Sequence, residues 1–177
     1  GPPVIVERFV RLAAESSVIA VRNSGGEVRF WDSPKNTHVE GILSRSSLPA
    51  GPFIESQQAA ARNLVTEIAN ALEYVGVLTC EFFATAEGPI FNEMAPRVHN
   101  SGHWTIEGAE TSQFENHIRA ICNLPLGNTE LVAERVEMDN LIGTQIAPIT
   151  KLLADPAANV HFYGKKDAAA GRKMGHV

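Results

Sequence analysis

Disulfide bonding is the first thing this sequence has little means for: 177 residues carry two cysteines, Cys80 and Cys122. Both read as small apolar core residues, Cys80 in a buried strand and Cys122 in a helix, not as a disulfide framework. Basic excess is missing too. Fifteen Lys and Arg against 20 Asp and Glu give a formal net charge of −5, which leaves no electrostatic footprint for nucleic acid. No apolar run approaches the roughly 18 residues of a membrane-spanning helix, and nothing reads as a signal peptide. No membrane partner is expected, and a cytoplasmic location is. Internal repeats and low-complexity tracts are also absent. What is present is a 44% hydrophobic and 20% charged composition, enough for one substantial domain and a small appendage.

The most informative stretch runs from Val75 to Ala95. Two β-rich runs, Val75-Gly-Val-Leu-Thr-Cys-Glu-Phe-Phe-Ala-Thr and Pro89-Ile-Phe-Asn-Glu-Met-Ala, flank Ala86-Glu-Gly. Gly88 can take the positive φ of a three-residue hairpin turn, so an antiparallel pair is expected. Pairing symmetric about Glu87 sets Glu81 opposite Glu93. Opposed side chains sit roughly 5 Å apart, and like charges there are destabilising unless something positive lies between them. Mg²⁺ suits that gap, because it takes oxygen ligands and binds through one or two carboxylates plus nucleotide phosphates. Asn92 adds a neutral oxygen if a bulge turns it inward. The competing reading is a solvated face with two unrelated acids; Phe82, Phe83, Ile90, Phe91 and Met94 favour an interior hairpin instead. A bulge at Gly88 would slip the register by one and undo the pairing.

After Glu93 comes Met94-Ala-Pro-Arg-Val-His-Asn-Ser-Gly-His-Trp. Arg97, His99, Asn100, Ser101, His103 and Trp104 crowd hydrogen-bonding groups onto a loop leaving a rigid strand, which suits a polar, anionic small molecule. Arg97 offers a bidentate fork to phosphate or carboxylate. Zinc held by His99 and His103 is a weaker reading, since no third ligand lies near in sequence.

Along the rest of the chain, residues 3 to 10, 15 to 23 and 27 to 31 read as a three-stranded antiparallel meander with a Gly25-Gly26 turn. Residues 33 to 41 read as a loop, leading to a Pro/Gly break at Pro49 to Pro52. Residues 55 to 74 read as a helix with Ala61, Leu64, Val65, Ile68 and Leu72 on one face. A second helix is expected at 110 to 123 with Phe114, Ile118, Ile121 and Cys122 inward. Short strands follow at 134 to 142, 159 to 163 and 173 to 177. A boundary at Gly127-Asn128-Thr129 divides the chain into 1–127 and 128–177.

The run Asn92-Glu-Met-Ala-Pro-Arg-Val-His-Asn-Ser-Gly-His-Trp-Thr, with Glu81 before it and Ser112-Gln-Phe-Glu-Asn-His-Ile-Arg-Ala after it, resembles the 5-(carboxyamino)imidazole ribonucleotide synthetases. These are ATP-grasp enzymes of purine biosynthesis. Val4-Ile-Val-Glu-Arg-Phe-Val and Gly171-Arg-Lys-Met-Gly-His-Val extend the resemblance over essentially the whole chain. It implies an α+β fold: the C-terminal lobe of an ATP-grasp domain, an antiparallel sheet with helices on one face, plus a small β-rich subdomain. Family members are about twice as long, so the chain reads as a C-terminal half, and Gly1-Pro2 as a cleavage scar. The N-terminal domain and the phosphate-binding lobe, with its lysines, belong to the other half.

The resemblance also implies roles. Adenine lies against the segment Glu7, Arg8, Phe9 and Val10, Glu15 holds the ribose hydroxyls, and His38 belongs to the nucleotide site. Glu81 and Glu93, with Asn92, hold Mg²⁺ or Mn²⁺ against the ATP phosphates. Arg97, His99 and Asn100 are catalytic. Arg97, Asn100, Ser101 and His103 meet 5-aminoimidazole ribonucleotide and the bicarbonate-derived intermediate, and Lys165 and Arg172 close over the 5′-phosphate. On pattern alone Glu7, Glu15 and His38 are ordinary surface residues, and Lys165 and Arg172 a solvated basic patch. The implied reaction makes carboxyphosphate from ATP and bicarbonate, then a carbamate on the exocyclic amine of the ribonucleotide. A homodimer is implied for the full-length enzyme, and little or no turnover for this chain alone. The alternatives are a catalytically silent ATP-grasp-like binding module and a related ATP-grasp carboxylase or transformylase.

Overall fold

The structure is a computed structural model that describes residues 3–146 and 149–177. Its strands are β1 (Ala14–Arg22), β2 (Val28–Phe30), β3 (Lys35–Val39), β4 (Ile42–Leu48), β5 (Gly76–Thr85), β6 (Gly88–Ala95), β7 (Val136–Ile142), β8 (His161–Phe162) and β9 (Lys173–His176). The helices are α1 (Pro52–Glu55), α2 (Gln58–Ala71), α3 (Thr105–Gly108), α4 (Gln113–Ile121) and α5 (Ile149–Leu153). Among the described residues, no helix is long and apolar enough to cross a membrane.

Sheet formation starts at β1, whose run from Ser16 to Val21 is buried throughout. Apolar residues on consecutive positions of a strand point to opposite faces, so β1 must be covered on both. β5 pairs along its whole length on one edge, and β2 and β3 share the other. The sheet order is β6-β5-β1-β3-β4-β7-β9-β8, with β2 beside β1 and every pairing antiparallel. Val18, Ala20, Leu78, Cys80 and Phe82 pack against Ala61, Val65 and Ala69 of α2. The alternate residues Ile19, Val21 and Val77 pack with Trp104 and with Ala120 of α4. Helices therefore cover both faces, where one covered face was expected.

The α+β architecture and most elements follow the sequence reading, and four details are corrected. Residues 3–10 form no strand; Val4, Ile5, Val6 and Phe9 are 80%, 91%, 89% and 84% exposed. Both edges of β1 are already occupied, which leaves the first strand of the expected meander without a place there. Residues 33–41 are no loop: β3 and β4 form a hairpin closed by Glu40 and Gly41, both at positive φ. Two successive positive φ values make the type I′ geometry that matches strand twist. In α2 the inward stripe is Ala61, Val65 and Ala69 with Ile68, while Leu64 and Leu72 are 39% and 53% exposed.

The fourth correction is the largest. α4 turns Phe114, Ile118 and Ile121 outward, Cys122 is exposed, and Gln113, Asn116 and Ala120 are buried instead. Polar residues win this interior because they satisfy loop backbone. Asn116 Nδ2 donates to Gly127 O at 3.2 Å and Asn116 Oδ1 accepts from Gly127 N at 2.8 Å. Ser112 caps the helix, its hydroxyl oxygen accepting from Glu115 N at 3.2 Å.

Candidate functional site

Glu81 does pair with Glu93, but by a route unlike symmetric pairing about Glu87. Thr85 pairs with Gly88, leaving a two-residue loop, and Phe82 then pairs with Phe91. An extra residue on β6 at Asn92 restores the register, so that Glu81 faces Glu93. Such a bulge re-aims side chains locally. Asn92 lines the same cleft as both glutamates, along with Glu15, His38, Phe83, His99 and Lys173, in a volume of about 460 Å³. The hairpin is less interior than expected: β6 is an edge strand, and Ile90, Phe91 and Met94 are 40%, 43% and 45% exposed.

Two carboxylate–imidazole pairs furnish the cleft. Glu15 Oε2 lies 2.7 Å from His38 Nδ1, joining β1 to β3, and His99 Nε2 lies 3.0 Å from Glu81 Oε1. The His99 donor is the main cause holding the Glu81 carboxyl below its usual range; burial opposes it, and His38 and Lys173 assist. An ionised Glu81 beside Glu93 and the Asn92 amide is a hard-oxygen set suited to a divalent cation. Among the described residues no three His, Cys, Asp or Glu side chains form a ready-made cage, so water and a ligand's own oxygens must complete the coordination. These residues fit Mg²⁺ bound as a phosphate complex.

Lys173 is the cleft residue that sequence reasoning missed. Its Nζ donates to Asn100 Oδ1 at 2.9 Å, and burial lowers its pKa against the pull of Glu81. Only its place inside Gly171-Arg-Lys-Met-Gly-His could have singled it out. Its neighbours face elsewhere: Lys165 Nζ donates to Lys173 O at 2.6 Å, and Arg172 Nη1 to Asp167 O at 3.4 Å. Both lie outside the lining of the cleft.

The Arg97 to Trp104 run is split by the fold. Arg97 is exposed and donates to Val98 O at 2.8 Å. Asn100 exchanges two amide hydrogen bonds with Asn140, each 2.8 Å, which ties the run to β7. Ser101 is 0% exposed and reaches the cleft only through His99. His103 leaves the cleft altogether, stacking on Phe114 and His176. His99 and His103 thus diverge, which removes the zinc reading. Gln113, buried at 0%, clamps the His99 backbone: its Oε1 accepts from His99 N at 2.9 Å and its Nε2 donates to His99 O at 2.7 Å. Gly102 permits this, since a Cβ there would stand 2.6 Å from Gln113 Oε1 and from Ile19. Glu7 is exposed, and Arg8, Phe9 and Val10 line a separate hollow of about 410 Å³ against the β5–β6 turn.

The ATP-grasp domain family matches residues 1–114, the part that carries Glu15, His38, Glu81, Glu93 and His99. The chain belongs to the ATP-grasp family. A second family, the phosphoribosylaminoimidazole carboxylase C-terminal domain, matches residues 137–177 of this ATP-grasp chain and so takes in Lys173. An N5-carboxyaminoimidazole ribonucleotide synthase of Brucella melitensis is 48% identical over 176 residues, 99% of this chain and 48% of its own length. The crystal structure of N5-carboxyaminoimidazole ribonucleotide synthetase from Thermus thermophilus matches with a TM-score of 0.88 at 50% identity, covering 95% of this chain and 46% of that one. An Aspergillus clavatus N5-carboxyaminoimidazole synthase in complex with ADP and 5-aminoimidazole ribonucleotide matches with a TM-score of 0.88 at 32% identity, covering 95% and 47%. The resemblance read from the Asn92 to Thr105 run is borne out by these matches. The ATP-grasp chain spans about half the length of the curated relatives it matches.

Proposed function

We propose that this chain is the part of an ATP-dependent ligase that holds Mg²⁺ (or Mn²⁺) against ATP and presents 5-aminoimidazole ribonucleotide to a carboxylating intermediate made from bicarbonate. The product is the N-carboxy derivative used in purine biosynthesis, a cytoplasmic pathway. The observation that carries the reading is the bulge at Asn92, which sets Asn92 and Glu93 beside Glu81 in one cleft with Glu15 and Lys173.

Within that reading Glu15, a pure acceptor when ionised, takes the ribose hydroxyls, and the hollow beside Arg8, Phe9 and Val10 takes adenine. The cation supplies charge neutralisation at the β and γ phosphates. Glu81 and Glu93 hold it, and His99 orients Glu81. Lys173 supplies positive charge next to Asn100, where an anionic acyl phosphate would sit. Residues 1–127 form the C-terminal part of the ATP-grasp domain and residues 128–177 a β-rich subdomain that brings in Lys173. The 177-residue chain is expected to turn over little by itself, because the relatives it matches are twice its length.

Calorimetric titration with Mg·ADP tests this. Metal-dependent binding that weakens at least tenfold in Glu93→Gln supports the site, and added affinity for 5-aminoimidazole ribonucleotide identifies the substrate. Nucleotide binding that is indifferent to metal and to Glu93→Gln overturns it.

A further inference from the structure

We propose that a buried line of hydrogen bonds through the sheet, made by Ser46, Asn36, Ser17 and Ser101, fixes which nitrogen of His99 carries the proton and so makes His99 a permanent donor that orients Glu81. The proposal deepens the reading of Glu81 as a cation ligand and rests on it.

The line starts on β4 and crosses β3 and β1 to reach the turn before α3. Ser46 Oγ donates to Asn36 Oδ1 at 2.8 Å, and Asn36 Nδ2 donates to Ser17 Oγ at 2.9 Å. Ser17 Oγ donates to Ser101 Oγ at 2.7 Å, and Ser101 Oγ lies 2.9 Å from His99 Nδ1. None of the four is more than 4% exposed. Buried hydroxyls and amides are costly unless every bond is made, and alanine would fill such a strand interior without that demand.

One donor in the cluster cannot be reversed. The backbone N–H of Ser101 points at His99 Nδ1 from 3.3 Å, a long bond that tips the cluster toward a lone pair on Nδ1, which the Ser101 hydroxyl at 2.9 Å then holds. The ring proton then sits on Nε2, facing Glu81 Oε1 at 3.0 Å. With Nδ1 accepting, the Ser101 hydroxyl donates to it, accepts from Ser17, and each link back to Ser46 has one consistent direction. The opposite polarity would set an Nδ1–H against the Ser101 N–H. Gln113 holds the backbone of His99 while this line holds its ring. His99 is therefore a positioning residue for Glu81: its Nε2, already protonated, is not a base waiting for a substrate proton.

The tautomer is read directly from long-range ¹H–¹⁵N correlations of the imidazole nitrogens in histidine-labelled chain at neutral pH. Wild type is expected to show His99 with its proton on Nε2 alone. Ser101→Ala, which keeps only the longer backbone donor, is expected to give a mixture of tautomers and about a tenfold loss of Mn²⁺ affinity. Ser17→Ala is the milder variant and decides the matter if Ser101→Ala does not fold. A wild-type proton on Nδ1, or a tautomer unmoved in the folded variants, overturns the proposal. Mn²⁺ affinity in Glu81→Gln separates the two readings: no loss there removes the cation site, while the tautomer result stands independently.

Discussion

His99 and His103 stand four residues apart, and the fold sends them into opposite surroundings. His99 joins the cleft, where each imidazole meets a carboxylate: His38 with Glu15 and His99 with Glu81. His103 enters a ring stack, 4.8 Å from His176 and 5.5 Å from Phe114, and His176 in turn lies 4.5 Å from His161. Tyr163 Oη bonds His176 Nδ1 at 2.8 Å, while His103 Nδ1 and His176 Nε2 have no partner among the described residues. Burial, with neighbouring histidines adding to it, pushes His103 down to about 3 and His176 to about 4. In the cleft an imidazole supports a negative charge; in the stack His103 and His176 stay neutral at neutral pH, while His161 lies 2.7 Å from Glu107. One residue type thus does electrostatic work in one region and fills space in the other.

The largest effect on this comparison is expected from Gln113→Leu. It leaves the His99 N–H without its partner and the His99 carbonyl with the Gly102 N–H alone, which costs about 1–3 kcal/mol by denaturant unfolding. A loss below about 1 kcal/mol would show that the clamp is dispensable. Acid comes next. Because His103 and His176 bind protons less readily folded than at the ordinary 6.5, their contribution is complete above pH 6.5 and drains away as pH falls toward about 3 for His103 and about 4 for His176. Each ring accounts for up to about 1.4 kcal/mol per pH unit in that window. Glu81, shifted down from 4.5, loses its contribution only below that value. Urea unfolding at pH 7, 6 and 5 measures the slope, and a flat profile would contradict the buried stack.

A smaller change isolates one ring. His103→Phe keeps an aromatic face between Phe114 and His176 and should roughly halve the acid slope between pH 6 and 5, with Mg·ADP affinity unchanged because His103 does not line the cleft. Smallest is Ile118→Ser on the outward face of α4. With its side chain half exposed, it should move stability by no more than about 0.5 kcal/mol. A loss above about 2 kcal/mol would mean that the inward face of α4 is misassigned.

The β5–β6 hairpin was legible because both strands carry β-rich residues around a short glycine loop, a purely local signal. Its glutamate pairing was reached through two offsetting departures, a shorter loop and a bulge at Asn92, neither visible in composition. The β3–β4 hairpin was missed because Glu40-Gly41 is a weaker turn signal than Asn-Gly, and its strands are too polar to read as strands. Their polar residues are buried by contact with β1 and β7: Asn36 and Ser46 join the buried line to His99, and Asn140 donates to Leu43 O at 3.0 Å. α4 was read inside out for a related reason. Periodicity ranks apolar residues as inward, but loop backbone needing partners outcompeted them for Gln113 and Asn116.

By itself the sequence determined the type of most elements, the antiparallel hairpin with its two acids, and membership of a family through the polar run after Glu93. Those depend on local propensity and on residue identity. Tertiary structure alone decided that His99 turns to Glu81 while His103 turns away, that Lys173 enters the cleft instead of Lys165 or Arg172, and that four buried polar residues from three strands and a turn line up behind His99. Such choices depend on which distant groups share a dry interior, where every donor must find an acceptor, and no local pattern encodes that.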